Sequence, residues 1–186
     1  MSNPKVIGAL ELSSVGIGYK VLDLMLKAAD VKIILARTIC SGKYLIILGG
    51  AVSDVESAMA AGREAGEGSL IDELILNSVH PSVFPALGQS VSVSEEDLGA
   101  LGIVESFSGV SILAAADAAA KAAGVTLFRI HVAMALGGKG FLLLTGEQHE
   151  VEAAVSAAVE EVGKRGLLVS RVVIPRPEPS LVSEYI

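Results

Sequence analysis

Two patterns of hydrophobic residues alternate along the first half of the chain and predict its secondary structure. Short continuous apolar runs are typical of buried strands, and they cover residues 6–12, 31–39, 44–49 and 70–79. Apolar residues that return every three or four positions are typical of amphipathic helices, and they cover residues 16–29 and 52–66. The resulting order of strand, helix, strand, strand, helix, strand is that of a ferredoxin-like domain.

The second half of the chain repeats the first. Identical residues recur 94 positions later as far as Val31, and 96 positions later after a two-residue insertion. The matched pairs include Gly8 and Gly102, Glu11 and Glu105, Lys27 and Lys121, Gly42 and Gly138, and Lys43 and Lys139. The identities fall at matching turns and helix faces, so they indicate two copies of one structural unit.

The repeat predicts an α/β (α+β) protein with two tandem ferredoxin-like domains, each an antiparallel sheet with helices packed on it. We place the first domain at residues 4–89, a polar linker at 90–98 and the second domain at 99–186. The predicted strands of the second domain cover residues 100–106, 125–135, 141–146 and 167–175, and its predicted helices cover residues 110–123 and 149–163.

Composition narrows the choice of partners. The 186 residues carry a net charge of −7, which would repel nucleic acid and anionic membranes, so we expect neither as a partner. No run of about 18 apolar residues is free of charge, so we expect no transmembrane helix. One cysteine cannot form an intrachain disulfide, and this indicates the cytoplasm. Because 52% of the residues are hydrophobic, we expect an apolar surface to be buried in an oligomer.

Few residues point to chemistry. Cys40 occupies the turn TICSGK, and a single cytoplasmic cysteine is most often packed and inert. Glu11 and Glu105 take the same position in both copies, which favours a shared structural contact over acid–base catalysis. We expect His131 and His149 to be core or surface residues, since neither has a second ligand at metal-binding spacing. With no nucleophile–base motif and no phosphate loop, we do not expect an enzyme.

Three stretches carry a resemblance to a known family. They are LKAADV at residues 26–31, ICSGKYLIILGG at 39–50 and VVIPRP at 172–177. They are similar to the shell proteins of bacterial microcompartments that have two shell domains in tandem and in unpermuted order, and within these to components of propanediol-utilisation shells. The resemblance covers nearly the whole chain. It implies a homotrimer that forms a flat pseudohexagonal tile, other shell proteins as neighbours, and a place in the microcompartment shell of the cytoplasm.

The resemblance also assigns a central pore turn. Its residues are Cys40, Ser41 and Gly42 in the first copy and Leu136, Gly137 and Gly138 in the second. In a trimer it implies three Cys40 thiolates on one axis. These would ligate one 4Fe–4S cluster per trimer, with an unknown fourth ligand, because soft thiolates suit iron.

The implied function is electron transfer across the shell, with a redox enzyme at the shell as a further expected partner. We expect Gly42 to adopt a positive φ, which glycine tolerates best in a tight turn. Leu136 is expected to form an apolar collar that closes the pore.

The edge residues that the resemblance implies are Lys27, Lys121 and Arg176, which would contact neighbouring tiles. The alternative for each is a solvated cation, and near a helix end it would complement the helix dipole. We expect His80 to stand where Arg176 does in the second copy. Two other functions stay open: a shell tile with a metal-free, gated metabolite pore, and a tandem ferredoxin-like regulatory module that binds a small molecule between its domains.

Overall fold

The structure is a computed structural model and describes residues 4–133 and 136–183. The elements of the first repeat are β1 (Val6–Leu12), α1 (Val15–Ala28), β2 (Lys32–Ile39), β3 (Lys43–Gly50), α2 (Val52–Ala65) and β4 (Leu70–Asn77), followed by the short helix α3 (Val83–Leu87). Those of the second are β5 (Ala100–Ser106), α4 (Ser111–Ala122), β6 (Thr126–Val132), β7 (Gly140–Gly146), α5 (Gln148–Gly163), β8 (Leu168–Ile174) and α6 (Ser180–Ser183).

Each repeat builds one four-stranded antiparallel sheet. The strand orders are β2-β3-β1-β4 and β6-β7-β5-β8, so the two sheets have the same topology. The predicted fold class is therefore confirmed. The predicted end of the second strand of the second copy, at residues 134–135, lies outside the described residues, as do residues 184–186. No helix in the described part of the chain is both long and apolar enough to cross a membrane.

The described residues form two compact units. The first contains those up to Val79 together with those of Ala133–Gly138, and the second contains those of His80–Val132 and from Lys139 onward. Residues 80–98, which follow β4, thus pack with the second repeat. The predicted domain limits were taken from the sequence repeat and not from compact units, and they stay a prediction.

The core of the first unit lies between its sheet and the helices α1 and α2. Leu10 and Leu12 of β1, Met25 of α1 and Met59 of α2 are all fully buried there. Tyr44 of β3 also belongs to this core, and its ring lies directly beneath Gly18 of α1. The absence of a side chain at Gly18 is what allows the helix to come so close to the strand.

The sheet register corrects one expectation about equivalent residues. Ile7 of β1 pairs with Leu76 of β4, and its counterpart Leu101 of β5 pairs with Ile174 of β8. Leu76 of β4 and Ile174 of β8 are therefore equivalent. Two residues after each of them, Ser78 is the counterpart of Arg176. The expectation that His80 takes the position of Arg176 is therefore wrong, because the two residues both precede a proline but differ by two positions in the register. The counterpart of His80 is Glu178.

We predict that Gly18→Ala destabilises the fold by about 1–3 kcal/mol, since a Cβ there would overlap the buried ring of Tyr44. Gly16, two residues earlier near the start of the same helix, is the matched control, because a Cβ there meets nothing within 4 Å. Gly16→Ala should be neutral or stabilise the helix by up to about 1 kcal/mol. Thermal unfolding at one protein concentration measures both, and equal effects would contradict this packing.

Candidate functional site

The turn that carries the single cysteine is a left-handed one. Cys40, Ser41 and Gly42 form one 3₁₀ turn between β2 and β3, and Cys40 is half-buried. Ser41 has φ 65° and Gly42 has φ 72°, both in the left-handed region. The positive φ predicted for Gly42 is confirmed. A Cβ at Gly42 would meet nothing within 4 Å, so the glycine is required by backbone conformation and not by space.

The corresponding turn of the second repeat also contains two consecutive residues with positive φ. Gly137 has φ 63° and Gly138 has φ 91°, in the connection between β6 and β7. Leu136, which precedes them, is half-buried. Two consecutive left-handed residues thus end each connection, and glycine fills three of the four positions. Ser41 is the exception and bears a conformational cost of roughly 1–2 kcal/mol.

The two turns lie in one compact unit. Ala133 and residues 136–138 group with the first repeat, so all six residues of the predicted pore turn belong to the same unit. The backbone N–H of Cys40 donates a hydrogen bond to the carbonyl oxygen of Ala133 over 3.2 Å. A Cβ on Gly138 would lie 3.2 Å from Nζ of Lys43, the residue that directly follows the first turn. The thiol-bearing turn and the leucine-bearing turn are therefore adjacent.

Each turn is anchored by an ion pair to the neighbouring strand. Nζ of Lys43 lies 2.8 Å from Oε1 of Glu11, and Nζ of Lys139 lies 2.6 Å from Oε1 of Glu105. Both lysines are the first residues after their turns. The hydroxyl of Ser170 donates a second hydrogen bond to Glu105 over 3.1 Å. The two glutamates thus share a structural contact, as expected from their equivalent positions.

The expectation of a shared structural contact did not identify Lys43 and Lys139 as the partners of Glu11 and Glu105. The signal was nevertheless in the repeat, because Lys43 and Lys139 recur with the same spacing as the turn glycines. The Lys139 hydrogen bond lowers the pKa of Glu105 below its ordinary value, and Ser170 adds to this, while burial acts in the opposite direction.

The other candidate residues lie apart from these turns. Lys27 and Lys121 each pair with the aspartate four residues earlier, Asp23 and Asp117, over 2.5 Å. Arg176 is exposed beyond the end of β8. Their contacts with neighbouring tiles stay a prediction.

His131 and His149 lie outside the two turns. The ring of His131 stacks on that of Phe141, with 5.0 Å between the ring centroids, and His149 is exposed. Among the described residues of one chain, no three His, Cys, Asp or Glu side chains lie together in a way that could hold a metal ion.

Comparison with known proteins places this architecture in a family. The model of the BMC domain matches the chain twice, at residues 6–79 and 100–177. The chain belongs to the bacterial microcompartment shell proteins. The shell protein PduT of Citrobacter freundii is 44% identical over 177 residues, which are 95% of this chain and 95% of that protein. The resemblance and the microcompartment shell as its location are confirmed.

Solved structures agree with this placement. The crystal structure of a microcompartment protein from Desulfitobacterium hafniense DCB is 41% identical and superposes with a TM-score of 0.87, covering 95% of this shell protein and 97% of that chain. The fused permuted hexameric shell protein MSM0275 from the RMM microcompartment shares the fold, with a TM-score of 0.62 at 18% identity over 88% of this chain and 87% of its own.

We predict a pH-dependent contribution of Glu105 to the stability of the shell protein. Because the pKa of Glu105 is lowered below its ordinary 4.5, its contribution is complete above pH 4.5 and is lost as the pH falls through the folded-state pKa. Glu105→Gln should cost about 1–3 kcal/mol near pH 7. The difference in melting temperature from the wild type should shrink below pH 4.

The exposed Glu56 of α2 supplies the control for this measurement, since Glu56→Gln removes the same charge from a solvated helix face. It should change the melting temperature little at any pH. A Glu105→Gln deficit that stays constant between pH 7 and pH 3 would show that the Lys139 ion pair does not stabilise the turn.

Proposed function

We propose that three copies of this shell protein close into a flat pseudohexagonal tile, with one 4Fe–4S cluster on its axis for electron transfer across the shell. The observation that carries the proposal is the pair of left-handed turns in one compact unit, with the half-buried thiol of Cys40 on one of them. A half-buried thiol on a turn is accessible to a metal, whereas a cysteine packed in the core is inert.

The trimer is supported by the duplication. A surface that repeats along one chain forms head-to-tail contacts, and such contacts give a closed ring when the rotation between neighbours divides a full turn. Two similar domains in each of three chains make a ring of six. Each chain then contributes one thiol-bearing turn and one leucine-bearing turn to the axis.

The residues of the turn fit an iron–sulfur cluster shared among chains. Thiolate is the ligand that such clusters prefer, and Cys40 supplies one per chain. Since the described residues of one chain contain no metal-binding group of three, the ligands have to come from several copies. Ser41 and Gly42 carry backbone N–H groups beside the thiol, of the kind that stabilises negative charge in left-handed turns. When bound, the cluster would accept and release single electrons.

Leu136 supports a closed rather than a conducting centre. Its side chain is half-buried and immediately precedes the glycines of the second turn. Three such leucines beside three thiols would exclude water and polar metabolites from the axis. A redox enzyme at the shell remains the proposed source or acceptor of the electrons. The regulatory module considered as an alternative has no support from the family, and the metal-free gated pore remains an outcome of the following test.

We predict about four irons and four acid-labile sulfides per three chains in protein purified without oxygen. Cys40→Ser should lose both while the oligomer keeps its mass, because the thiol lies on a turn and the core does not include it. Iron and sulfide analysis with native mass spectrometry measures both properties. A folded wild-type trimer that stays free of iron after reconstitution would leave a plain tile with a pore thiol.

Leu136→Gly is the matched control for the cluster. It changes the neighbouring turn without removing a ligand, so iron and sulfide should stay at the wild-type level while the axis opens. Loss of iron in this variant would show that the leucine-bearing turn does not have the proposed role.

We further predict that Lys27→Ala and Arg176→Ala reduce the assembly of tiles without changing the mass of the trimer. Both side chains are exposed, and the ion pair of Lys27 with Asp23 lies in solvent, where such pairs contribute little to stability. Electron microscopy of concentrated protein should show smaller sheets for the variants. Lys164→Ala, which removes an exposed lysine after α5, serves as the control, and equal sheets in all three variants would contradict the edge role.

A further inference from the structure

The equivalent faces of the two repeats are buried to very different degrees. Tyr19 of α1 is 61% exposed, whereas the residue 94 positions later, Leu113 of α4, is fully buried. On the adjacent strand, Ile33 is 47% exposed and its counterpart Leu127 is 1% exposed. The sheet register confirms the latter equivalence, because Ile33 pairs with Leu48 and Leu127 with Leu144. The first repeat therefore has an apolar face without the cover that the second repeat has.

The cover of the second repeat is the segment that follows β4. Helix α3 packs on α4 and β6, and its residues Val83 and Ala86 are fully buried. Just before this helix, the backbone N–H of His80 donates a hydrogen bond to the carboxylate of Asp117 over 2.8 Å. Asp117 is 5% exposed, so this bond anchors the segment at a buried site. Segment and covered face belong to the same compact unit.

A counterpart of this segment follows β8. In the register given by the two sheets, His80 corresponds to Glu178 and Val83 corresponds to Leu181. Both segments contain Pro-Ser followed by an aliphatic residue, and both form a short helix at that point, α3 and α6. Unlike the buried Val83, Leu181 is 46% exposed. The chain thus carries a second covering segment whose apolar residue is exposed.

We infer that residues 177–183 of one chain cover the exposed face of α1 and β2 in a second copy. In this arrangement the backbone N–H of Glu178 takes the role of the His80 N–H and binds the carboxylate of Asp23. Leu181 then packs near Tyr19 and Ile33. The occupant is a second copy because the segment after one repeat covers the next repeat along the chain, and in a ring the repeat that follows the second is the first repeat of the neighbour.

The exposed face offers the hydrogen-bond acceptor that this occupant requires. Asp23 corresponds to Asp117, and each pairs with a lysine four residues later in the same way. The side chain of Asp23 is 57% exposed and that of Asp117 only 7%. The acceptor that anchors the covering segment in the second repeat is therefore also present in the first, still accessible to a donor from outside.

The inference rests on the proposed ring of three chains and adds the segment that joins them. It is tested in a Cys40→Ser background with Asp23→Cys and Glu178→Cys combined. Mild oxidation should link neighbouring chains, and a denaturing gel without reductant should show a ladder that ends at three chains. Glu56→Cys combined with Glu178→Cys is the control, since Glu56 lies on α2, and it should give no such ladder.

A second variant makes the test independent of disulfide geometry. Leu181→Asp should raise amide hydrogen exchange in α1 and β2 at least several-fold, while α4, whose cover is within the chain, keeps its wild-type rates. A reduced wild-type trimer with no ladder and with unchanged exchange in α1 for Leu181→Asp would overturn the inference and leave the proposed tile intact. A wild type that stays monomeric under reducing conditions would overturn both.

Discussion

The candidate site depends on the buried carboxylate of Glu11. Its side chain is only 1% exposed, and an ionised carboxylate in such a place is tolerated only with a partner charge. Lys43 supplies such a charge and is also the first residue after the cysteine-bearing turn, so this ion pair holds the end of the turn against β1. Leaving such a charge unpaired costs about 3–5 kcal/mol, more than the strain of a left-handed Ser41.

This arrangement explains why the tips of the turns can differ while their bases stay the same. The lysine–glutamate pair is present in both repeats, and two left-handed residues end both connections. The residue before them is a cysteine in one copy and a leucine in the other, and both are half-buried. Because neither side chain fills the core, the chemistry of the tip can change at little cost to folding. The residue at the tip can thus change while the fold of the shell protein stays the same.

The sequence predicted the features that repeat and missed those that depend on one copy's surroundings. Strand and helix positions followed from periodicity, and the positive φ of Gly42 followed from its residue type. Helix α3 was missed because five residues that include Pro85 show no helical period. Packing of the apolar Val83 and Ala86 stabilises it, and that contact cannot be read locally. The lysine partners of the glutamates could have been predicted, since both members of each pair recur.

Helices α1 and α4 have diverged in composition, and the difference follows from what covers each of them. Helix α4 is rich in alanine, as expected of a helix covered on more than one side, whereas α1 keeps Tyr19 and the charged Lys20 on its exposed side. The same face also carries the apolar Ile33 of β2, which is 47% exposed, so it combines polar and apolar residues. A face that is covered only after assembly explains both kinds of residue. The chain has to be stable in solvent before the contact forms, and the apolar residues are buried once it has formed. The same duplication that gives two similar domains thus leaves one covering segment and one apolar face for a neighbouring chain.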